Sequence, residues 1–158
     1  MNMRKLVVII YSLVLLFVGC DDLEDKPYTP GEANGVVEDY GTAEMYILNE
    51  GLFNLNNSTL ARYSFLTNNC SYDYFRALNH RGLGDTANDM DIYGSKLYVV
   101  VNVSSTVEVI DLQSGLSVKQ IPMLTDNGSS RQPRAITFDS GKAYVCSYDG
   151  TVARIDTA

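Results

Sequence analysis

"KLYVVVNVSSTVEVIDL" (Lys96–Leu112) returns 46 residues later, in altered form, as "KAYVCSYDGTVARIDTA" (Lys142–Ala158). Both stretches run Lys, a small or apolar residue, Tyr-Val and a polar turn, then Thr-Val, two residues and Ile-Asp. In an extended chain Leu97, Val99 and Val101 point to one side, and Tyr98 and Val100 to the other. A half-exposed strand alternates apolar with polar residues, and this one does not, so it is predicted to be covered on both faces.

The spacing is regular. Tyr98 to Tyr144 is a step of 46, and Ile110 to Ile155 a step of 45. A weaker copy lies upstream: Met45–Leu48 answers Leu97–Val100, and Thr59–Tyr63 answers Thr106–Ile110. Those steps are 52 and 47, so the upstream turn is five residues longer. A period in the forties, built of strands and turns, is the signature of β-propeller blades. Turn chemistry is dense, as in Asn56-Asn57-Ser58, Asp126-Asn127-Gly128 and Asp149-Gly150. Helical periodicity is absent from residues 44–158, so the expected class is all-β. A β-sandwich would share the short strands but not the sequence repeat.

Four strands are expected per unit, with units at about 44–80, 88–124 and 133–158. In the second unit they are Met90–Tyr93, Lys96–Asn102, Thr106–Leu112 and Ser117–Met123. The third opens at Arg134–Phe138 and stops after its third strand, at Asp156. Just under three blades cannot close a ring of four to eight. A longer parent polypeptide is therefore expected, with open apolar faces at both ends of this piece.

The amino terminus reads differently. Arg4 and Lys5 precede an apolar run, Leu6–Val18, broken only by Ser12. The run is short for a membrane span and has the length of a signal-peptide core. It ends in Leu16-Phe17-Val18-Gly19-Cys20, which resembles the lipobox of bacterial lipoproteins, although Phe17 stands where Leu is usual. That resemblance makes residues 1–19 a signal peptide and Cys20 the acylated amino terminus. An ordinary cleaved signal is the alternative. The acidic run Asp21-Asp22-Leu23-Glu24-Asp25 opens a tether, residues 20–43, punctuated by Pro27, Pro30, Gly31 and Gly35. Acids directly after a lipidated Cys resemble the surface-export signal of Bacteroidetes lipoproteins.

Formal charge is −7, and −9 without the two cations of residues 1–19, which argues against nucleic acid as a partner. Cys70 and Cys146 fall in different units and are expected to be small, buried and unpaired. His80 is the sole His, so a multi-histidine metal site is impossible within the chain. It is expected in a solvated loop. Neither a calcium-loop pattern, a Gly-rich phosphate loop nor a Gly-x-Ser-x-Gly elbow occurs. No catalytic or metal residue is assigned, and no enzyme is expected.

Three phrases carry a family resemblance: "YILNEGLFNLNNSTLARYSF" (Tyr46–Phe65), "GLGDTANDMDIYGSKLYVVVN" (Gly82–Asn102) and "RQPRAITFDSGKAYVCSYDGTVARID" (Arg131–Asp156). Together they resemble the YncE-like, surface-layer-type propeller lipoproteins of Bacteroidetes. The resemblance implies a larger, seven-bladed ring, lipid-anchored in the outer membrane and facing the cell exterior. It also implies capture of cobalamin or a related corrinoid, as ligand and not cofactor, for a TonB-dependent outer-membrane transporter. A structural or glycan-binding surface propeller and a lactonase-like hydrolytic propeller are the alternatives.

The turn between a unit's second and third strands is expected at the same end as the approach to its first strand. That end collects Asn49, Glu50, Phe53, Asn54, Arg81, Asn102, Arg131, Arg134 and Tyr148 as ligand-binding candidates. Amides can pair with corrinoid amides, rings can cover its apolar faces, and Arg can hold its phosphate. For any single Asn, plain turn formation is the competing account.

Overall fold

The computed structural model describes residues 44–157. The signal peptide, Cys20 and the acidic tether lie outside the described residues.

The described chain is all-β, with three antiparallel sheets laid down in sequence order. Strands β1 (Glu44–Asn49), β2 (Thr59–Ser64) and β3 (Asn69–Ser71) form the first. Strands β4 (Ala87–Tyr93), β5 (Lys96–Val101), β6 (Thr106–Asp111) and β7 (Ser117–Pro122) form the second. The third has β8 (Pro133–Asp139), β9 (Lys142–Ser147) and β10 (Val152–Asp156). The expected strands of the second unit are all present, though β4 begins three residues before Met90. The first unit departs from four strands. Its β1 and β2 are the counterparts of β5 and β6, so the described part of that sheet lacks a counterpart of β4.

Burial follows the pattern read in Lys96–Leu112. Leu97, Val99 and Val101 join Leu60, Phe75 and Ile110 in one core, while Tyr98 and Val100 join Val107, Ile136 and Val145 in another. The second sheet is therefore covered on both faces, by the first sheet and a helix on one side and by the third sheet on the other. Each fully buried Val or Leu contributes roughly 1.5–3 kcal/mol. On the far face of the third sheet Cys146 is exposed and Tyr144 only half-buried.

Polar contacts pin one sheet to the next. The Asp89 carboxylate accepts the Ile136 N–H at 2.7 Å, and Asn102 Nδ2 donates to the Pro133 carbonyl at 2.8 Å. Tyr93 stacks on Phe138 with centroids 4.9 Å apart, and its hydroxyl accepts the Gly141 N–H at 2.9 Å. Between the first two sheets, Ser58 N–H donates to Gly84 O, and Ala87 N–H donates to the Ser58 hydroxyl.

One element contradicts the expectation of no helix. α1 (Tyr74–Asn79) starts at Asp73, whose carboxylate accepts from Arg76 N–H and Arg76 Nε. It ends at His80, exposed and in the left-handed conformation at φ 55. The helix buries Tyr74 and Phe75 and lays Asn79 against the β6–β7 turn, where its amide bonds Gly115 O and Ser117 N–H. Six residues are too few to show a helical period, and the cap supplies what the period cannot.

Cys70 and Cys146 are unpaired, but neither is buried: Cys70 is half-buried and Cys146 exposed. The reason is position. Cys70 sits on the short strand β3, and Cys146 faces outward from the third sheet.

Candidate loop-end binding site

Hydrogen bonds fix which loops share an end. Asn54 and Asn56 N–H donate to the Asp85 carboxylate, and Asp85 N–H donates to the Ser104 hydroxyl. Asn102 reaches Pro133, and Tyr148 N–H donates to Gln132 O. So the β1–β2 loop, the approaches to β4 and β8, and the β5–β6 and β9–β10 turns lie together. That is the expected loop end.

Within it, the side chains of Asn49, Asn102 and Arg131 are occupied in holding the protein together. Asn49 Nδ2 donates to the Thr59 hydroxyl across the β1–β2 pair, and the Glu50 carbonyl accepts from Ser58. Asn102 is 6% exposed and spent on Pro133. Arg131 is pinned three ways, to Leu124 O, the Asp149 carboxylate at 2.9 Å and the Thr151 hydroxyl. Asp149 is held below the usual carboxylate range by the Thr151 hydroxyl foremost, against burial, with the Thr151 N–H and Arg131 adding to it. Phe53 and Asn54 sit on the exposed β1–β2 loop.

Arg81 belongs elsewhere. Its Nη2 lies 2.7 Å from the carboxylate of Glu108, a fully buried residue in the middle of β6, and its guanidinium covers the Phe75 ring at 4.9 Å. Ser117 and Gln120 complete the shell around Glu108. Arg81 neutralises a core carboxylate.

Arg134 and Tyr148 are brought together. The Arg134 guanidinium stands over the Tyr148 ring, 5.6 Å from its centroid, and both residues are exposed. The sequence reading missed their partner, Asn88. With its amide oriented by its hydrogen-bonding neighbours, Asn88 accepts from Arg134 Nη1 at 2.8 Å and donates to Arg134 O at 3.1 Å. Both residues are bulges: pairing with β5 skips from Ala87 to Asp89, and pairing with β9 skips from Pro133 to Ala135. A bulge re-aims the side chain it carries. Beside Asn88 opens a cleft of about 510 Å³ between β1 and β4, lined by Tyr46, Glu50, Asn88 and Asp89 among others. The step of 46 from Arg134 to Asn88 was the signal available in the sequence.

Among the described residues no carboxylate lies within ion-pair distance of Arg134, and no cluster of three His, Cys, Asp or Glu could hold a metal ion. The arrangement offers a cation, an amide and a phenol ring.

No family model and no curated protein matches the chain. Among solved structures it is similar to the computationally designed Ika4 protein, with 16% identity over 70% of this chain and 64% of that one, at a TM-score of 0.47. It is also similar to the computationally designed Ika8 protein, with 14% identity over 73% of this chain and 33% of that one, again at 0.47. The chain thus spans less than two thirds of each.

Proposed function

We propose that the three sheets are consecutive blades of a β-propeller, in a cell-surface lipoprotein that binds a corrinoid without changing it and delivers it to a TonB-dependent outer-membrane transporter. The observation that carries the binding role is Arg134. Its guanidinium has no carboxylate partner among the described residues, and Asn88 and Tyr148 hold it at the loop end. Such a group suits an anionic ester on a ligand edged with amides. The sheet order and the double coverage of β5 support the blade reading, because a blade packs only against its neighbours.

The test is calorimetric titration of cyanocobalamin into the polypeptide that carries this chain, with Cys20→Ser to remove the lipid. Heat of binding is expected, and Arg134→Ala weakens it by about 1.5–3 kcal/mol, the worth of a hydrogen bond to a charged group. Absence of heat overturns the corrinoid reading. Turnover of a lactone would then favour the hydrolytic alternative, and neither heat nor turnover the structural or glycan-binding one.

A further inference from the structure

One backbone conformation recurs at the same place in two successive sheets. Thr86 and Gln132, 46 residues apart, both lie in the left-handed region, at φ 60 and 51, two residues before the bulges at Asn88 and Arg134. Their carbonyls accept from residues that are also 46 apart, Asn102 N–H at 2.8 Å and Tyr148 N–H at 3.0 Å. Side chains other than Gly, Asn and Asp adopt this conformation at a cost. The two residues account for it differently. Thr86 turns its hydroxyl onto the Asp85 carboxylate at 2.7 Å, within the network that ties the β1–β2 loop to the approach to β4. Gln132 is exposed, and among the described residues its side-chain amide has no hydrogen-bond partner. Its backbone is nonetheless held, the N–H by the Ser130 hydroxyl at 3.3 Å and the carbonyl by Tyr148.

A long polar side chain thus stands on a backbone that favours glycine and forms no hydrogen bond within the fold. Strain of this kind is kept where function needs it. We propose that the Gln132 amide is a ligand contact beside Arg134, giving and accepting hydrogen bonds with an amide on the edge of the bound molecule. The chemistry matches, since a primary amide offers two donors and an acceptor, the complement of another amide. The place matches too: Gln132 precedes Arg134 by two residues, and its carbonyl holds the turn that carries Tyr148. The inference rests on the corrinoid reading and adds to it a residue that recognises amides. Asn49, Asn88 and Asn102 fit that role less well, because their side chains already bond within the protein.

The test titrates cyanocobalamin into the polypeptide that carries this chain, with Cys20→Ser, as the parent, as Gln132→Gly and as Gln132→Glu. Glycine keeps the carbonyl that Tyr148 uses and suits the left-handed backbone. Gln132→Gly is therefore expected to bind about fivefold more weakly while melting no lower than the parent. Gln132→Glu keeps the length, removes the donors and adds a charge that draws Arg134 away from the ligand, so it is expected to bind more weakly still. Unchanged affinity in Gln132→Gly overturns the contact and leaves the corrinoid reading in place. Parent-like affinity in Gln132→Glu does the same, because the loss with glycine would then come from slack in the backbone. Absence of heat with the parent overturns that reading and this inference together.

Discussion

Asn88 and Arg134 hold the same place in successive sheets, 46 residues apart, each as the extra residue of a β-bulge and each bonded to the other. The pair converts a sequence repeat into a contact. Asn88 positions and Arg134 presents. Asn88→Ala is therefore expected to weaken ligand binding by about 1 kcal/mol, less than Arg134→Ala, since it loosens the guanidinium but leaves the cation in place. Calorimetry on both variants checks the order. A larger loss at Asn88 would make it the ligand contact.

The Arg81–Glu108 pair gives a stability prediction. Glu108 is fully buried, so Arg81→Met strands its charge in the core and costs about 3 kcal/mol or more. Replacing both, Arg81→Met with Glu108→Leu, recovers most of that, because no charge is left to desolvate. Urea unfolding of the two variants should place the double above the single. A single variant as stable as the parent would mean that Ser117 and Gln120 satisfy Glu108 unaided.

Acid should loosen the turns at both ends of the sheets. The Thr86 hydroxyl foremost, with Asn56 and Asn54 N–H, holds the Asp85 carboxyl below the usual carboxylate range, and burial opposes them. Asp111 is lowered in the same sense, chiefly by the Ser114 hydroxyl. A lowered folded pKa means that the unfolded chain takes up the proton first, so stability is present at neutral pH and lost as pH falls below about 4. Asp85→Asn is expected to melt earlier than the parent at pH 7 and to show a flatter decline below about pH 4. Thermal melts across that range measure both.

Thiol reactivity follows position. Cys146 should react with an alkylating reagent in the native protein faster than half-buried Cys70, and both should react fully once the unreduced chain is denatured. A bond between Cys70 and Cys146 would contradict a sheet order that puts them in the first and third sheets.

What the sequence disclosed was whatever repeated or ran apolar on both faces. β5, β6 and β9 were legible because Leu97–Val101 bury alternate residues against two neighbours, and Ala143 and Val145, one repeat later, bury theirs against one. The start of β4 was not, since Asn88 and Asp89 put polar residues where a buried strand was sought. α1 escaped because one and a half turns show no period, leaving only Asp73 as a mark. Arg131 and Arg81 read as open cations, and their carboxylates lie 18 and 27 residues downstream, a pairing only the tertiary fold sets. Arg134 stayed in the site for the opposite reason, having no such partner.

Each sheet is a continuous stretch of chain, and each contact between sheets joins one sheet to the next. The widest strand pairing described, Glu44 with Ser64, spans 20 residues. Assembly can therefore track synthesis, layer by layer, with little loop entropy lost at each closure. The cost falls on timing. The side of the second sheet carrying Tyr98, Val100, Val107 and Val109 stays wet until the residues one repeat later leave the ribosome. At cellular rates of synthesis that is a delay of roughly 2–9 s, during which a nascent chain carries a bare apolar face that any chaperone, or any neighbour, can find first.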